Sequence, residues 1–427
     1  MSSSCLLDLL PPEIIRDIGL HLPLVEIPKI CQTSKKFNQP IGQNEDFWHL
    51  KFVLNYKFDP INDRGSWKEL YKNSNKVWTF GNNSNGQLGL DDDQDRTSVS
   101  APTEIEKFRV KEVSGGGRHT VVIDLEKNVW TFGNNEYGQL GLGDNETKRR
   151  VSTPTKIPNL KAKQVSVGEC HTVIIDLENN VWTFGWNQWE QLGLGINGNR
   201  KKPTQIPNIK AHQVSAGGCH TVIIDIENNV WTFGRGESGQ LGLGDDENRT
   251  SVTRPTKIPN FKARQVSAGG NHTVIIDLED NVWTCGWNHF GQLGLGDNKH
   301  RKKPTQVPNI KALQVSAGGY YTVMIDIGNN VWTFGSNKFG QLGLGDTQDR
   351  NVPIKIPNLK AEQVSAGENH TVVIDKEKNV WTFGENEYQL GLGDNEKQYE
   401  PTQIQNFKVE KVSAGRFHTI MIGTRIM

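Results

Sequence analysis

The stretch QVSVGECHTVIIDLENNVWTFGWNQWEQLGLGINGNRKKPTQIPN, residues 164–208, is one copy of a unit that recurs along most of the chain. Its marker VWTFG, or VWTCG, occurs seven times at spacings of 49 or 52 residues, beginning at Val77, Val129, Val181, Val230, Val282, Val331 and Val380. A second marker, VS followed shortly by HT or YT, also occurs seven times, beginning at Val113, Val165, Val214, Val266, Val315, Val364 and Val412. A period of this length indicates an array in which one supersecondary unit is repeated.

The residues of the unit predict β-strands. Its apolar segments are short, rich in β-branched and aromatic residues, and bounded by Gly, Asn, Asp and Pro. Asn in the connection between 171–176 and 181–184 tolerates the left-handed backbone of a tight hairpin. Pro203 and Pro207 enclose PTQIP, and Pro cannot donate to a central ladder, so this segment is expected at a sheet edge. Four strands per unit, repeated radially, predict a β-propeller.

The two ends of the array predict how the ring closes. The strand that begins at Val77 has no VS hairpin before it, and the segment VSAGRFHTIMIG from Val412 has no VWTFG after it. Because these halves complement each other, we expect one blade to combine 412–422 with 77–80 and 102–105. The predicted fold class is mainly β: a seven-bladed propeller preceded by a small all-α module.

The motif GQLGLGD, preceded by WTFGxN and AGGxHT, resembles the repeat of the regulator of chromosome condensation family. Members of that family form seven-bladed propellers, and the resemblance covers residues 76–427. The activity for which the family is best known is guanine-nucleotide exchange on a small GTPase of the Ran type. The resemblance implies the architecture more strongly than the function, because one fold hosts many functions.

Residues 1–75 lack the repeat and show helical spacing, as in Ile14, Ile15, Ile18 and Leu22. The segments LPPEII, LHLPLVEI, ICQTSKKF and FWHLKF resemble the successive parts of an F-box. We therefore expect an F-box module at 1–56, a linker with a short helix at 57–75, and the propeller at 76–427. The alternative for the first segment is a helical cap that seals the propeller.

The F-box resemblance implies binding to the Skp-type adaptor of a cullin–RING ubiquitin ligase. The residues assigned to that contact are Leu10, Pro11, Ile14, Ile15, Leu22, Leu24, Ile27 and Ile30. We thus expect a non-catalytic adaptor whose propeller holds the protein to be ubiquitinated. The alternatives are an exchange factor for a Ran-like GTPase, disfavoured by the F-box and the lack of a basic tail, and a scaffold without a ligase. The similar repeats and the Asn-, Lys- and Ile-rich composition also resemble proteins of large DNA viruses of amoebae.

Composition excludes several classes of partner. Lys plus Arg and Asp plus Glu number 48 each, so no global field favours nucleic acid. Five cysteines without a CxxC pair predict reduced thiols. No apolar run approaches the length of a membrane span, and the N-terminus lacks a secretory signal. We expect a soluble monomer in the cytoplasm, the nucleus or both.

Six repeats place His before Thr: His119, His171, His220, His272, His370 and His418. Each lies on a different blade, too far from the others to share one metal ion, and the remaining repeat has Tyr321 instead. We expect these histidines to be structural hydrogen-bonding groups. No nucleophile–base pair stands out in one blade, so the sequence predicts no enzyme, no metal and no cofactor.

The residue that follows the Phe-Gly or Cys-Gly pair differs from blade to blade. In three consecutive units it is Trp186, Arg235 and Trp287, and Trp and Arg are enriched in binding hot spots. These three are the predicted partner-binding residues. The alternative is packing between neighbouring blades, which we expect of the aromatic residues three positions further on: Tyr137, Trp189, Phe290, Phe339 and Tyr388.

Overall fold

The computed structural model describes residues 76–91, 97–143, 149–244 and 250–426, and within them every regular element is a strand. In chain order the strands are β1 (Lys76–Asn82), β2 (Ser98–Gly115), β3 (His119–Asp124), β4 (Asn128–Asn134), β5 (Arg150–Val167), β6 (His171–Asp176), β7 (Asn180–Gly185), β8 (Arg200–Ala216), β9 (His220–Asp225), β10 (Asn229–Arg235), β11 (Ser251–Ala268), β12 (His272–Asp277), β13 (Asn281–Gly286), β14 (Arg301–Ala317), β15 (Tyr321–Asp326), β16 (Asn330–Gly335), β17 (Arg350–Ala366), β18 (His370–Asp375), β19 (Val380–Gly384), β20 (Gln398–Ile404), β21 (Phe407–Ala414) and β22 (His418–Arg425). The all-β propeller is confirmed.

The strands form seven four-stranded antiparallel sheets, the blades. Each long strand serves two of them: the first half of β8 is the outermost strand beside β7, and its second half is the innermost strand beside β9. The direction changes at Asn208, which has φ of +59°. Asn tolerates this left-handed conformation better than most residues, so one continuous strand connects two blades.

The tight hairpins have the predicted turn chemistry. Asn179 and Asn228, in the hairpins β6–β7 and β9–β10, have φ of +69° and +67°. The turns of these hairpins and the bends in the long strands lie at one end of the propeller, which we call the hairpin face. The turns after the innermost strands, such as 217–219, and the long loops, such as 186–199, lie at the other end, which we call the loop face.

The ring closes through the blade that the two ends of the array build together. β22 pairs with β1 in the register Val77↔Ile422 and Phe80↔Thr419, and β1 pairs with β2 through Thr79↔Thr103. The predicted closure is thus confirmed at residue level. The last strand is held by the first one, so the ring is fastened by hydrogen bonds rather than by the chain.

The hydrophobic core lies between the blades. One cluster joins Ile175, Val181 and Ile206 of one blade to Ile223 and Phe233 of the next, and all five are almost completely buried. In six of the seven loops the first glycine of GLG or GLD packs against the Phe of the neighbouring VWTFG strand, and in the seventh Gly242 lies against Cys285. At Gly193, with φ of +67°, a Cβ would lie 2.7 Å from the Phe233 ring, so the motif keeps glycine because the rings need that space.

The expected helical module at 1–56 and the linker at 57–75 lie outside the described residues, as do all eight side chains assigned to the Skp-type adaptor. The domain boundaries and the adaptor contact therefore stay predictions.

Candidate functional site

The loop face carries the side chains that differ between blades, and its foundation is a ring of identical contacts. In six blades the His Nε2 lies 2.9–3.1 Å from the Thr hydroxyl of the next blade. That hydroxyl donates its hydrogen to the backbone carbonyl oxygen of a Gln in a long loop, at 2.7–2.9 Å. Because a hydroxyl has one hydrogen, the imidazole must donate, so each His is the Nε2–H tautomer.

The six histidines are also neutral, because they are completely buried. Burial, reinforced at several by neighbouring imidazoles, lowers the pKa to about 3 at His119, His171, His272 and His370, and burial alone lowers it to about 4 at His220 and His418. In the one blade that has Tyr321 in place of His, the Tyr321 hydroxyl donates to the backbone carbonyl of His370 and accepts a hydrogen bond from the Thr371 hydroxyl. The prediction of structural histidines is confirmed: they join neighbouring blades.

Backbone and serine contacts complete the rigid frame around the central channel. In every blade the innermost strand donates a backbone N–H to the Ser Oγ of its neighbour, at 2.9–3.1 Å. Above them, turn N–H groups bond to turn carbonyls of the adjacent blade, as from Gly218 to Gly269 at 3.0 Å. The channel mouth therefore has fixed backbone positions, on which side chains can be placed accurately.

Three side chains interrupt the glycines at the channel mouth. The residue two positions before each ring His or Tyr is Gly in four blades, but Glu169, Glu368 and Arg416 in the others. Arg416 forms an ion pair with Glu169. Their blades are separated by the blade of Gly117, where a Cβ would lie 2.5 Å from the Glu169 carbonyl oxygen, so glycine there leaves the ion pair room to cross.

The predicted partner-binding residues Trp186 and Arg235 reach the loop face and contact the preceding blade. Their backbone N–H groups donate to the turn carbonyls of Cys170 and Cys219. The Trp186 ring lies 5.9 Å from that of Tyr137, and the Arg235 guanidinium lies 4.6 Å from the centre of the Trp189 ring. Both thus also pack between blades, as the alternative predicted.

Trp287 has a different environment from Trp186 and Arg235, because the preceding blade has Ser238 at the position of Tyr137 and Trp189. Its ring lies 5.8 Å from Tyr320 and 6.0 Å from His300, and its indole N–H is buried without an acceptor among the described residues. A buried unpaired donor costs about 1–3 kcal/mol. Trp287 thus packs on Tyr320 of the next blade, and its side chain is partly exposed on the loop face.

Tyr320 and Glu368 connect the predicted residues into one surface. Both line the channel mouth together with Arg235, and both line the adjoining groove that contains Trp287. The structure thus brings Arg235 and Trp287 onto one continuous surface, with Trp186 outside it. Tyr320 and Glu368 were missed because only the position after Phe-Gly was compared, although the turn before His-Thr varies just as visibly in the sequence.

The site holds no reactive constellation. Within 76–91, 97–143, 149–244 and 250–426, no three His, Cys, Asp or Glu side chains are grouped to bind a metal. Burial raises the pKa of Cys170 to about 12 and that of Cys219 to about 11, so these thiols are protonated and weak nucleophiles near neutral pH. No helix in the part of the chain that the structure describes could cross a membrane.

Comparison with family models supports the repeat assignment across almost the whole propeller. Residues 69–275 match the model described as an RCC1-like domain. Residues 279–325, 329–374 and 378–422 match the regulator of chromosome condensation (RCC1) repeat. The chain therefore contains an RCC1-like domain and RCC1 repeats.

Similar proteins include the ultraviolet-B receptor UVR8 of Arabidopsis thaliana, which is 30% identical over 52% of this chain and 40% of its own length. The human X-linked retinitis pigmentosa GTPase regulator is 40% identical over 52% of this chain and 22% of its own. The chain thus spans less than half the length of these relatives. Among solved structures, Prp20p of Saccharomyces cerevisiae has a TM-score of 0.75 at 22% identity, covering 84% of this chain and 95% of that one. This last likeness establishes the fold.

Proposed function

We propose that the propeller binds a small GTPase of the Ran type through its loop face and regulates it by accelerating nucleotide release. The observation that carries the proposal is the continuous surface formed by Arg235, Tyr320, Glu368 and Trp287. Elsewhere around the ring the blades repeat the same contacts, whereas the residues at the positions that form this surface differ between blades. Blade-specific side chains on a rigid frame are what a protein-recognition site requires.

The comparisons change the order of the two functions that the sequence suggested. A relative that is 40% identical over half of this chain is a GTPase regulator by name, and the matched family models lie on the propeller. Nucleotide exchange needs no group that reacts covalently, because a regulator acts by binding one state of its partner better than another. The absence of a reactive cluster among the described residues is compatible with such a role.

The test is release of a fluorescent guanine nucleotide from a Ran-type GTPase by the full-length protein at sub-stoichiometric concentration. We expect release to be accelerated, and Arg235→Ala with Trp287→Ala to reduce the acceleration at least about tenfold, as loss of interface hot spots does. Leu177→Ala is the matched control, because Leu177 is 51% exposed on the hairpin face. Unchanged release with the wild-type protein, or equal effects of loop-face and hairpin-face variants, would contradict the proposal.

A second candidate function rests on the F-box resemblance of residues 1–56. In it, the N-terminal segment binds the Skp-type adaptor and the propeller holds the protein to be ubiquitinated. The two functions are compatible, since they depend on different parts of the chain. This binding mode buries aliphatic side chains, each worth about 1.5–3 kcal/mol of transfer free energy, in a partner groove.

Full-length protein is therefore expected to retrieve the adaptor and cullin from a eukaryotic lysate, and Ile14→Asp with Ile15→Asp to abolish retrieval. A buried unpaired carboxylate costs more than the aliphatic contact contributes. The control is Leu177→Asp with Ile226→Asp, two equally drastic changes at hairpin-face residues that are 51% and 58% exposed. If the adaptor is not retrieved, or both double variants behave alike, the ligase function is wrong.

A further inference from the structure

The groove beside the channel mouth has the composition of a site for a cationic side chain. It has a volume of about 650 Å³, and its lining includes the aromatic residues Trp287, Phe290, Tyr320 and Phe339 together with Lys338 and Glu368. Four of these residues are aromatic and come from neighbouring blades. A concave site with aromatic walls and a few polar groups is typical of ligand pockets.

The aromatic rings are arranged edge to face. Tyr320 lies 5.6 Å from Phe290 at an interplanar angle of 64°, and 5.8 Å from Trp287 at 73°. The side chains of Trp287, Phe290 and Tyr320 are all partly exposed, so part of each ring can contact a third group. Phe339 already attracts cations of this chain, because the Lys397 ammonium lies 4.8 Å and that of Lys338 5.5 Å from its ring centre.

Glu368 supplies a carboxylate without a partner. Among the described residues none donates a hydrogen bond or forms an ion pair with it, and the neighbouring Asn369 amide donates to Glu385 instead. Burial raises the pKa of Glu368, an effect that the charge of Arg416 opposes. The guanidinium of Arg416 is bonded to Glu169, across the channel mouth. The Glu368 side chain is half-buried, so its carboxylate can still be reached by the cationic group of a partner.

We propose that this groove binds an arginine side chain of the protein partner, with the guanidinium against the aromatic rings and hydrogen-bonded to the Glu368 carboxylate. Arginine fits better than lysine because its planar guanidinium stacks on aromatic rings and donates two parallel hydrogen bonds to a carboxylate. The inference rests on the proposed function for the identity of the partner, since the groove is part of the same loop-face surface. It adds the chemistry by which that surface recognises its partner.

The test is titration of the full-length protein with the peptide acetyl-Gly-Arg-Gly-amide, followed by the NMR signal of the Trp287 indole N–H. That signal is identified by its loss in Trp287→Phe. We expect a saturable shift with the arginine peptide and at least about tenfold weaker binding of the peptides with neutral citrulline or with lysine, because neither can form the charged bidentate contact. Glu368→Gln should weaken binding of the arginine peptide by a similar factor.

The matched control is Glu136→Gln, which removes an exposed carboxylate from a long loop of the same face and should leave binding unchanged. Melting temperatures of both variants exclude a folding defect. The proposal is overturned if the arginine peptide gives no saturable shift, if citrulline or lysine binds equally well, or if Glu368→Gln has no effect. Because this titration contains no GTPase, a negative result contradicts the arginine groove but not the proposed exchange activity. A negative result in the nucleotide-release assay likewise contradicts the exchange activity but not the arginine groove.

Discussion

At about pH 5.5 the propeller is expected to be about 7 kcal/mol less stable to unfolding than at about pH 7. The cause is the ring of six buried histidines, whose pKa values of about 3 or 4 lie well below the ordinary value of 6.5. Between these values the unfolded chain binds protons that the folded chain does not. The histidines therefore contribute their full stabilisation above the unfolded pKa. This contribution is lost as the pH decreases, by about 1.2 kcal/mol per histidine between about pH 7 and about pH 5.5.

Other titrating groups do not reverse this sign. Hydrogen bonds lower the pKa of Asp176 and Asp277, so these carboxyls titrate below the interval. Burial raises the pKa values of Glu368 and Glu410, a shift of the opposite sign that involves two groups against six. A loss of this size is comparable to the whole stability of many domains, so the midpoint of urea unfolding should move visibly.

The chain supplies its own matched variants for this measurement. Tyr321→His adds a seventh buried imidazole beside Thr371, and should make the pH dependence steeper by about one sixth. His220→Tyr reproduces in another blade the arrangement at Tyr321, and should make it shallower by the same amount. The comparison is valid only if both variants melt at the wild-type temperature at neutral pH. A midpoint that stays constant between the two pH values would show that the histidines are not the neutral links described.

Deletion of residues 412–427 is expected to abolish the folded monomer. The deletion removes β22, the partner of β1, together with Ile420, Met421 and Ile422, which are at most 1% exposed. Each such side chain contributes about 1.5–3 kcal/mol when buried. Their sum approaches the stability of a domain, and the strand edges left open are available for pairing with other chains.

The measurement is thermal unfolding together with size-exclusion chromatography. We expect the truncated protein to aggregate or to melt at least about 15 °C lower, since several kcal/mol correspond to such a shift. Deletion of residues 426–427 alone is the control, because Ile426 lies after β22 and is 45% exposed. A truncated protein that remains monomeric and melts like the wild type would mean that the ring does not depend on its last strand.

Part of the candidate site could be predicted from the sequence. Comparison of the repeats with one another identified Arg235 and Trp287, which the structure places on one surface. The same comparison could not tell that Trp186 packs on Tyr137, outside that surface. The variable turn before His-Thr marks Tyr320 and Glu368 in the sequence, but only the distances between blades show that they adjoin Arg235 and Trp287. The F-box segment and its adaptor contact stay predictions from sequence resemblance.

The repeat, its strands, the edge position of the proline-flanked segment and the closure by complementary ends all follow from the amino-acid sequence alone. These are properties of local chemistry and chain order: β-branched residues, turn residues and Pro act over a few positions, and seven copies repeat the signal. The side-chain contacts between blades, in contrast, follow from the folded ring. The Arg416–Glu169 pair joins residues 247 positions apart, and Glu368 is left without a partner in an aromatic groove. Such contacts depend on ring geometry, because residues on different blades approach one another only after the ring has closed.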